Sequence, residues 1–417
     1  MRVPNTAHKV NSPPKVSYHS SSKTRIPTEV GVLEERWLHK IFLATHIPAT
    51  WNFWKLGFGL IAVTFIAWRF WRLLKAGAAL AASIYFFFSV TDWLLLRWLI
   101  SSGRSFGPIG PQLLVKNIPR LGAVFVAGLV AWLLGSTGVG LGLLLIFQLF
   151  GSAVYWWGML HEPFALNVTR RDIRPAAWSS TSSPLRLLHL SDLHVERLTR
   201  REVHLLETIE QLQADLIVIT GDYLNLSYVD DPVARQDVRK ILTKLDAPYG
   251  VYATLGSPPV DPRNTTPSLF DGTKIRLLRD EVAVIQLADG QKLSLIGMDC
   301  EHDLRSDASA LENLLEIAPD DSARVLLYHS PELMPIVKNY DIDLYLCGHT
   351  HGGQIRMPGY GALLTSSVTG KQYEMGPYTE QNTTLYVSRG IGLEGLSAPR
   401  MRLLCPPEII LFTLAGA

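Results

Sequence analysis

The chain has 417 residues, enough for two or three domains, and its net charge of +2 gives no global field to draw it to nucleic acid. Apolar residues make up 47% of it, but all eleven tryptophans lie at or before Trp178 and every long uncharged run lies before Glu162. Its three widely spaced cysteines, Cys300, Cys347 and Cys405, argue against a disulfide framework and fit a reducing compartment.

Residues 1–30 are polar, carry Pro4, Pro13 and Pro14, and read as a disordered tail. No signal peptide fits there, because no compact apolar core directly follows the basic start. Residues 31–165 read as a transmembrane region of about four helices. Residues 56–68 reach span length if Lys55 and Arg69 snorkel. A second span starts at Ala76 and continues past Asp92, which reads as an interfacial residue at a helix end. Residues 121–160 carry no charge over forty positions; one span needs about 20 residues, so the run is two helices turning at the GSTGVG segment. Trp51, Trp54, Trp68, Trp71, Trp93 and Trp98 flank these cores as interfacial aromatics do. Four spans put the tail, a loop over residues 97–120 and the C-terminal domain on one side. That side is richer in Lys and Arg than the side holding Arg69, Arg72 and Lys75, which places the C-terminal domain in the cytoplasm. The expectation is an integral protein of an inner or plasma membrane, with lipids as partners.

Residues 166–184 read as a linker, and 185–417 as a layered α/β domain in which short apolar strands alternate with amphipathic helices. Strands are predicted at LRLLHL, LIVIT, VYATL, KLSLIG, RVLLY, DLYLC, LYVS and EIILFTL. Helices are predicted over 200–213, 233–245, 308–317 and 331–338, the first because Val203, Leu206, Ile209 and Leu212 recur at helical spacing.

The residues that end these strands carry the chemistry. Asp192 and His194 follow LRLLHL, Asp222 follows LIVIT, His329 follows RVLLY, and His349 and His351 follow DLYLC. Residues two apart in extended chain point the same way, and ligands of α/β sheets bind beyond the carboxyl ends of strands. Two carboxylates and four imidazoles can therefore converge, a donor set suited to manganese, iron or zinc. Singly, each has a plainer reading: Asp192 as a helix cap, Gly221-Asp222 as a turn, the glycine-flanked histidines as a loop.

The motifs SDLH, GD, the single His329 and GHTH resemble those of the calcineurin-like metallophosphoesterases over about residues 185–414. CGHTHGGQ, LYVSRGIG and PPEIILFTL resemble its membrane-associated bacterial branch, some members of which cleave the pyrophosphate of UDP-diacylglucosamine. The resemblance implies two sheets flanked by helices and two divalent ions. Asp192, His194, Asp222 and His351 would hold one ion, and Asp222, His329 and His349 the other, with Asp222 bridging. A hydroxide between the ions would attack phosphorus in line. Because four apolar spans would hold the site near the bilayer, the expected substrate is a lipid-linked phosphodiester or pyrophosphate. The family places Gly-Asn-His where this chain has Gly256-Ser257-Pro258. The resemblance therefore implies a lost ligand at Ser257 and a lost general acid at Pro258, with water, substrate oxygen or Asn264 to fill the gap. Two readings follow: a membrane-anchored phosphoesterase with a modified second site, or a degenerate relative that binds metal or a partner without hydrolysis.

Overall fold

The computed structural model describes residues 47–104, 108–179, 183–395 and 398–416; the tail expected over 1–30 lies outside them. Four helices, α1 (Phe53–Leu73), α2 (Ala78–Ser101), α3 (Ile109–Leu133) and α4 (Thr137–Leu160), form a bundle. All four are long and apolar enough to cross a membrane. The Asn52 side chain caps α1 by accepting from Lys55 N at 3.0 Å, and the Ser136 hydroxyl starts α4 just after Gly135 turns left-handed at φ 61°. Outward-facing Trp54, Phe58, Phe65 and Phe150 are exposed, while Ala67, Trp71, Ala81, Ala127 and Leu144 are buried between the helices.

The third helix starts earlier than the uncharged run suggests, so Lys116 and Arg120 lie inside it rather than in a loop. Nor does Asp92 stand at a helix end: it lies within α2 and is buried, with Arg120 Nε 2.5 Å and Lys116 Nζ 3.2 Å from its carboxylate oxygens. Charge on the neighbouring helix makes its burial tolerable, a relationship that hydropathy along one segment does not register.

The C-terminal region folds into strands β1 (Asn167–Ile173), β2 (Leu185–Leu190), β3 (Leu216–Thr220), β4 (Val251–Thr254), β5 (Ile275–Leu277), β6 (Glu281–Gln286) and β7 (Lys292–Gly297). They continue with β8 (Ala323–Leu327), β9 (Leu344–Cys347), β10 (Arg356–Met357), β11 (Gly361–Ala362), β12 (Gly376–Glu380), β13 (Thr383–Val387) and β14 (Glu408–Leu414). Two six-stranded sheets result, in orders β1-β14-β2-β3-β4-β5 and β12-β13-β9-β8-β7-β6, with β10 and β11 as a separate hairpin. Helices α5 (Arg200–Leu212) and α6 (Pro232–Leu242) belong to the first sheet's connections, and α7 (Leu304–Ile317) and the short α8 (Met334–Val337) to the second's.

Strand alternation explains the layering. Leu185, Leu187, Leu216 and Val218 point between the sheets, against Leu295, Val325, Leu327 and Leu346 of the second. Leu188, Leu190, Ile217 and Ile219 point the other way, onto Leu205, Ile209 and Val238 of the helices. Ile296, Leu326 and Tyr345 likewise meet Leu311 and Leu314 of α7. Both faces of the central strands are thus buried, which is why they read as continuous apolar runs. The stretch 166–184 is not only a connection: β1 pairs in parallel with β14, and Trp178 is buried with its indole donating to the Lys292 carbonyl at 3.1 Å. Its charged residues Arg170, Arg171 and Asp172 face out from a sheet edge, which hides the strand in the sequence.

Candidate metal centre

The predicted donors all sit just past the C-terminal ends of central strands. Asp192 and His194 follow β2, Asp222 follows β3, His329 follows β8, and His349 and His351 follow β9. The backbone reason for their convergence differs from simple alternation along extended chain. Asp192, His194, Asp222, His349 and His351 have φ of 50°, 40°, 58°, 68° and 50°, all left-handed. Non-glycine residues held there cost of order 1–3 kcal/mol each and persist only where the surroundings over-determine them. Successive reversals of the chain, not a shared strand face, aim these side chains inward.

Glycines make room for the reversals. A Cβ on Gly348 would lie 1.9 Å from Asp192 Oδ2, and one on Gly256 would lie 2.1 Å from Asp222 Oδ1. Asp261, which sequence reasoning missed, ties two of the loops together: Oδ2 accepts from Asp222 N at 2.7 Å and Gly256 N at 2.8 Å, and Oδ1 from Tyr223 N at 3.2 Å.

At the centre, His194 Nε2 lies 2.9 Å from His351 Nε2. His351 Nε2 is 3.4 Å from Asp192 Oδ1, and His194 Nε2 is 3.5 Å from Asp222 Oδ2. His329 Nε2 lies 3.2 Å from Asp222 Oδ2, while its Nδ1 faces the Thr220 carbonyl at 2.7 Å. The Leu224 carbonyl likewise takes His194 Nδ1, at 3.2 Å. These carbonyls accept from Nδ1–H and turn the Nε2 of both rings toward the carboxylates, the orientation in which Nε2 can serve a metal.

The electrostatics are those of a crowded, dry site. Burial raises the Asp192 carboxyl above its ordinary value. Burial also acts to raise Asp222, but the His329, His194 and His349 rings outweigh it and hold that carboxyl low. Burial lowers His349 to about 3 and, together with His194, takes His351 well below the ordinary imidazole value. His329 goes the other way: burial would lower it, but Asp222 and Asp192 raise it to about 10.

The donor chemistry fits divalent metal. One donor atom each from Asp192, His194 and His351 lies within 4.8 Å of the others, as does one each from Asp192, Asp222 and His329. His329 Nε2, His349 Nε2 and His351 Nδ1 are buried nitrogens with no hydrogen-bond partner of acceptable geometry. Buried polar atoms are rarely left so, and two ring nitrogens facing each other at 2.9 Å need a proton or a cation between them.

Ser257 is where the motif places it, at the edge of this cluster. Its N–H donates to Asp222 Oδ1 at 2.9 Å, and its Oγ lies 3.0 Å from His302 Nε2 and 3.4 Å from His349 Nδ1. Asn264 is exposed, and Pro258 is half-buried. His349 is grouped within 4.8 Å not with Asp222 and His329 but with His302 and Glu332. Sequence reasoning missed His302, Glu332 and also Glu394, whose Oε2 is 3.5 Å from His351 Nε2. His302 follows β7 as the other donors follow their strands, a signal that could have found it.

Two sheets with helices outside them and a histidine–aspartate cluster at the strand ends are the arrangement that the sequence motifs imply for a metal-dependent phosphoester hydrolase. Comparison with known proteins agrees, although no protein-family model matches the chain. An uncharacterized metallophosphoesterase of Bacillus subtilis, YkuE, is 31% identical over 267 residues, covering 62% of this chain and 89% of its own. The Escherichia coli phosphodiesterase YaeI is 27% identical, covering 62% of this chain and 92% of its own. The UDP-2,3-diacylglucosamine pyrophosphatase LpxG of Chlamydia muridarum is 23% identical, covering 61% of this chain and 90% of its own. The chain belongs to the metallophosphoesterases.

Proposed function

We propose that the protein is a membrane-anchored hydrolase of a phosphodiester or pyrophosphate bond in a lipid-linked substrate. The observation that carries this is the convergence of Asp192, Asp222, His194, His329 and His351 at one set of strand ends. In this reading Asp192, His194, Asp222 and His351 hold one divalent ion and Asp222, His329 and His349 help hold a second. Bound there, such ions supply Lewis-acid charge to phosphoryl oxygens and make water a nucleophile near neutral pH. The chain's own part is to hold that set rigid. Thr220 and Leu224 fix the tautomers of His329 and His194, and Asp261 fixes the Asp222 and Gly256 loops.

The lipid part of the reading rests on how the bundle meets the site. Glu162, just past α4, accepts from Cys405 N at 2.5 Å, and the Cys405 thiol donates to the His351 carbonyl at 3.2 Å. Arg402 N donates to the Gly158 carbonyl of α4 at 2.9 Å, while its guanidinium donates to the carbonyls of Arg389, Gly390, Gly392 and Cys405. Gly390 in turn approaches Asp192. The end of the bundle is therefore one layer of side chains from the donor cluster, where a headgroup anchored by acyl chains would lie. LpxG acts on such a substrate by its name, UDP-2,3-diacylglucosamine pyrophosphatase. Lys55, Arg97, Arg104, Arg170, Arg171 and Arg174 at this end, against Arg69, Arg72 and Lys75 at the other, favour a cytoplasmic catalytic region.

The test is turnover of an aryl phosphodiester by the full chain in detergent with manganese, iron or zinc, beside the Asp222→Asn variant. Turnover that disappears in the variant supports the hydrolase reading, and none with any of the three metals overturns it. For the lipid part, a UDP-diacyl-sugar should be cleaved with much higher kcat/KM than the unacylated UDP-sugar. Equal values would remove it.

A further inference from the structure

The Gly-Ser-Pro turn after β4 looks deficient when compared with a Gly-Asn-His motif, but the space beside it is not empty of donors. His302 enters from the loop after β7, on the opposite sheet, with its backbone left-handed at φ 56°. Its Nε2 and the Nδ1 of His349 both face the Ser257 hydroxyl, at 3.0 Å and 3.4 Å, and the two ring centroids are 4.8 Å apart. One donor atom each from His302, His349 and Glu332 lies within 4.8 Å of the others.

The ring is held, not merely nearby. His302 Nδ1 lies 3.0 Å from Glu332 Oε2, and Glu332 Oε1 is itself fixed by Val368 N at 3.0 Å. Glu332 is buried, and 27% of the His302 side chain is exposed, so the ring lies at the mouth of the cluster with its inner nitrogen pointed in. A carboxylate on Nδ1 that leaves Nε2 available is the arrangement by which proteins orient metal-ligating histidines. The two loops are also clamped together. Arg263, six residues after Ser257 in the same turn, donates to the Gly256 carbonyl at 3.0 Å and to the Cys300 carbonyl at 2.5 Å.

We propose that His302 supplies, through Nε2, the donor that the second metal position lacks at residue 257, with Glu332 as the residue that positions it. The proposal rests on the metallophosphoesterase reading above and adds to it a histidine drawn from a different strand end. Exchanging an amide oxygen for an imidazole nitrogen also makes the second position better suited to zinc or iron.

The experiment measures bound zinc on the full chain in detergent, by elemental analysis after desalting and by competition with a chromophoric chelator. The unmodified chain should hold two ions, and His302→Ala one, with affinity for the second reduced about 100-fold or more. Glu332→Gln should weaken the second ion about 10–100-fold, the usual cost of losing an outer partner of a metal ligand. The decisive variant is Ser257→Asn placed on His302→Ala: an amide at 257 should restore the second ion. The proposal is overturned if the unmodified chain holds one ion, if His302→Ala keeps two at unchanged affinity, or if Ser257→Asn fails to restore what His302→Ala loses. The last result would mean that His302 only braces the loop. Zinc binding that is indifferent to Asp222→Asn would instead overturn the underlying metal-centre reading.

Discussion

Arg120 grips Asp92 between two helices long enough to cross a membrane, through Nε at 2.5 Å and Nη2 at 2.9 Å. Arg120 Nη1 also donates to Gln148 Oε1 at 2.7 Å, so one guanidinium joins α2, α3 and α4. Removing one partner from a buried pair costs about 3–5 kcal/mol, because the other charge is left uncompensated. Arg120→Met should therefore lower the melting temperature of the detergent-solubilised chain sharply. Replacing all three charges together, Asp92→Leu with Lys116→Met and Arg120→Met, should recover most of the loss. A triple variant no more stable than the single one would show that the network does more than compensate charge.

Metal removal provides the second prediction. Asp192 and Asp222 are buried carboxylates facing each other across imidazoles, so a bound cation relieves their repulsion. A ligand present at 100 times its Kd stabilises the folded state by about 2.7 kcal/mol. Chelation should lower the melting temperature and manganese or zinc should restore it, whereas Asp222→Asn should respond little to either. An unmodified chain whose melting is the same with chelator and with metal would contradict the proposed centre.

Much of this centre is legible in the sequence, because each predicted donor directly follows an apolar strand and the strands are strongly patterned. The histidines of GHTHGG and the aspartate of SDLH need no knowledge of tertiary structure to be singled out. What is not legible depends on contacts between distant segments. Arg120 and Asp92 lie 28 residues apart on different helices, and His302 meets Ser257 across 45 residues. Asp261 looks like a turn residue beside a proline until its two carboxylate oxygens are seen to collect three backbone N–H groups from two loops. The left-handed backbone at five donors is likewise hard to read, since aspartate and histidine are enriched there among non-glycine residues but only a small share of them adopt it. Strand β1 is hidden for a simpler reason: its charged residues face out from a sheet edge.

Gly348 offers a test of the close packing behind the site. A methyl group there would meet Asp192 Oδ2 at 1.9 Å and Ser191 Oγ at 2.1 Å. His349 N donates to Asp192 Oδ1 at 3.0 Å, so the whole turn would have to shift. A displacement of about 1 Å at a reacting centre costs about 10²-fold in rate. Gly348→Ala should lose about that much in kcat and hold metal less tightly. Gly138→Ala, whose added methyl meets nothing within 4 Å, should change neither. Full activity in Gly348→Ala would mean that Asp192 can move without consequence.

The last prediction concerns pH and a buried carboxylate that is not itself one of the proposed donors. Asp307, in the first turn of α7, is 3% exposed and accepts from the Tyr328 hydroxyl at 2.6 Å. Burial pushes its carboxyl up to about 6, against a smaller downward pull from that hydroxyl. The folded state therefore holds this proton more tightly than the unfolded chain, whose aspartates titrate near about 3.9. Stability rises with pH only where the unfolded state binds more protons, and here the sign is reversed. The contribution of Asp307 should be greatest below about pH 4 and should decline as the pH rises to about 6. Asp307→Asn keeps an acceptor for Tyr328 but cannot ionise, so subtracting its melting curve from that of the unmodified chain isolates the group. The difference should fall across this window and level off above it. A difference that rises with pH would show that Asp307 is stabilised as a carboxylate.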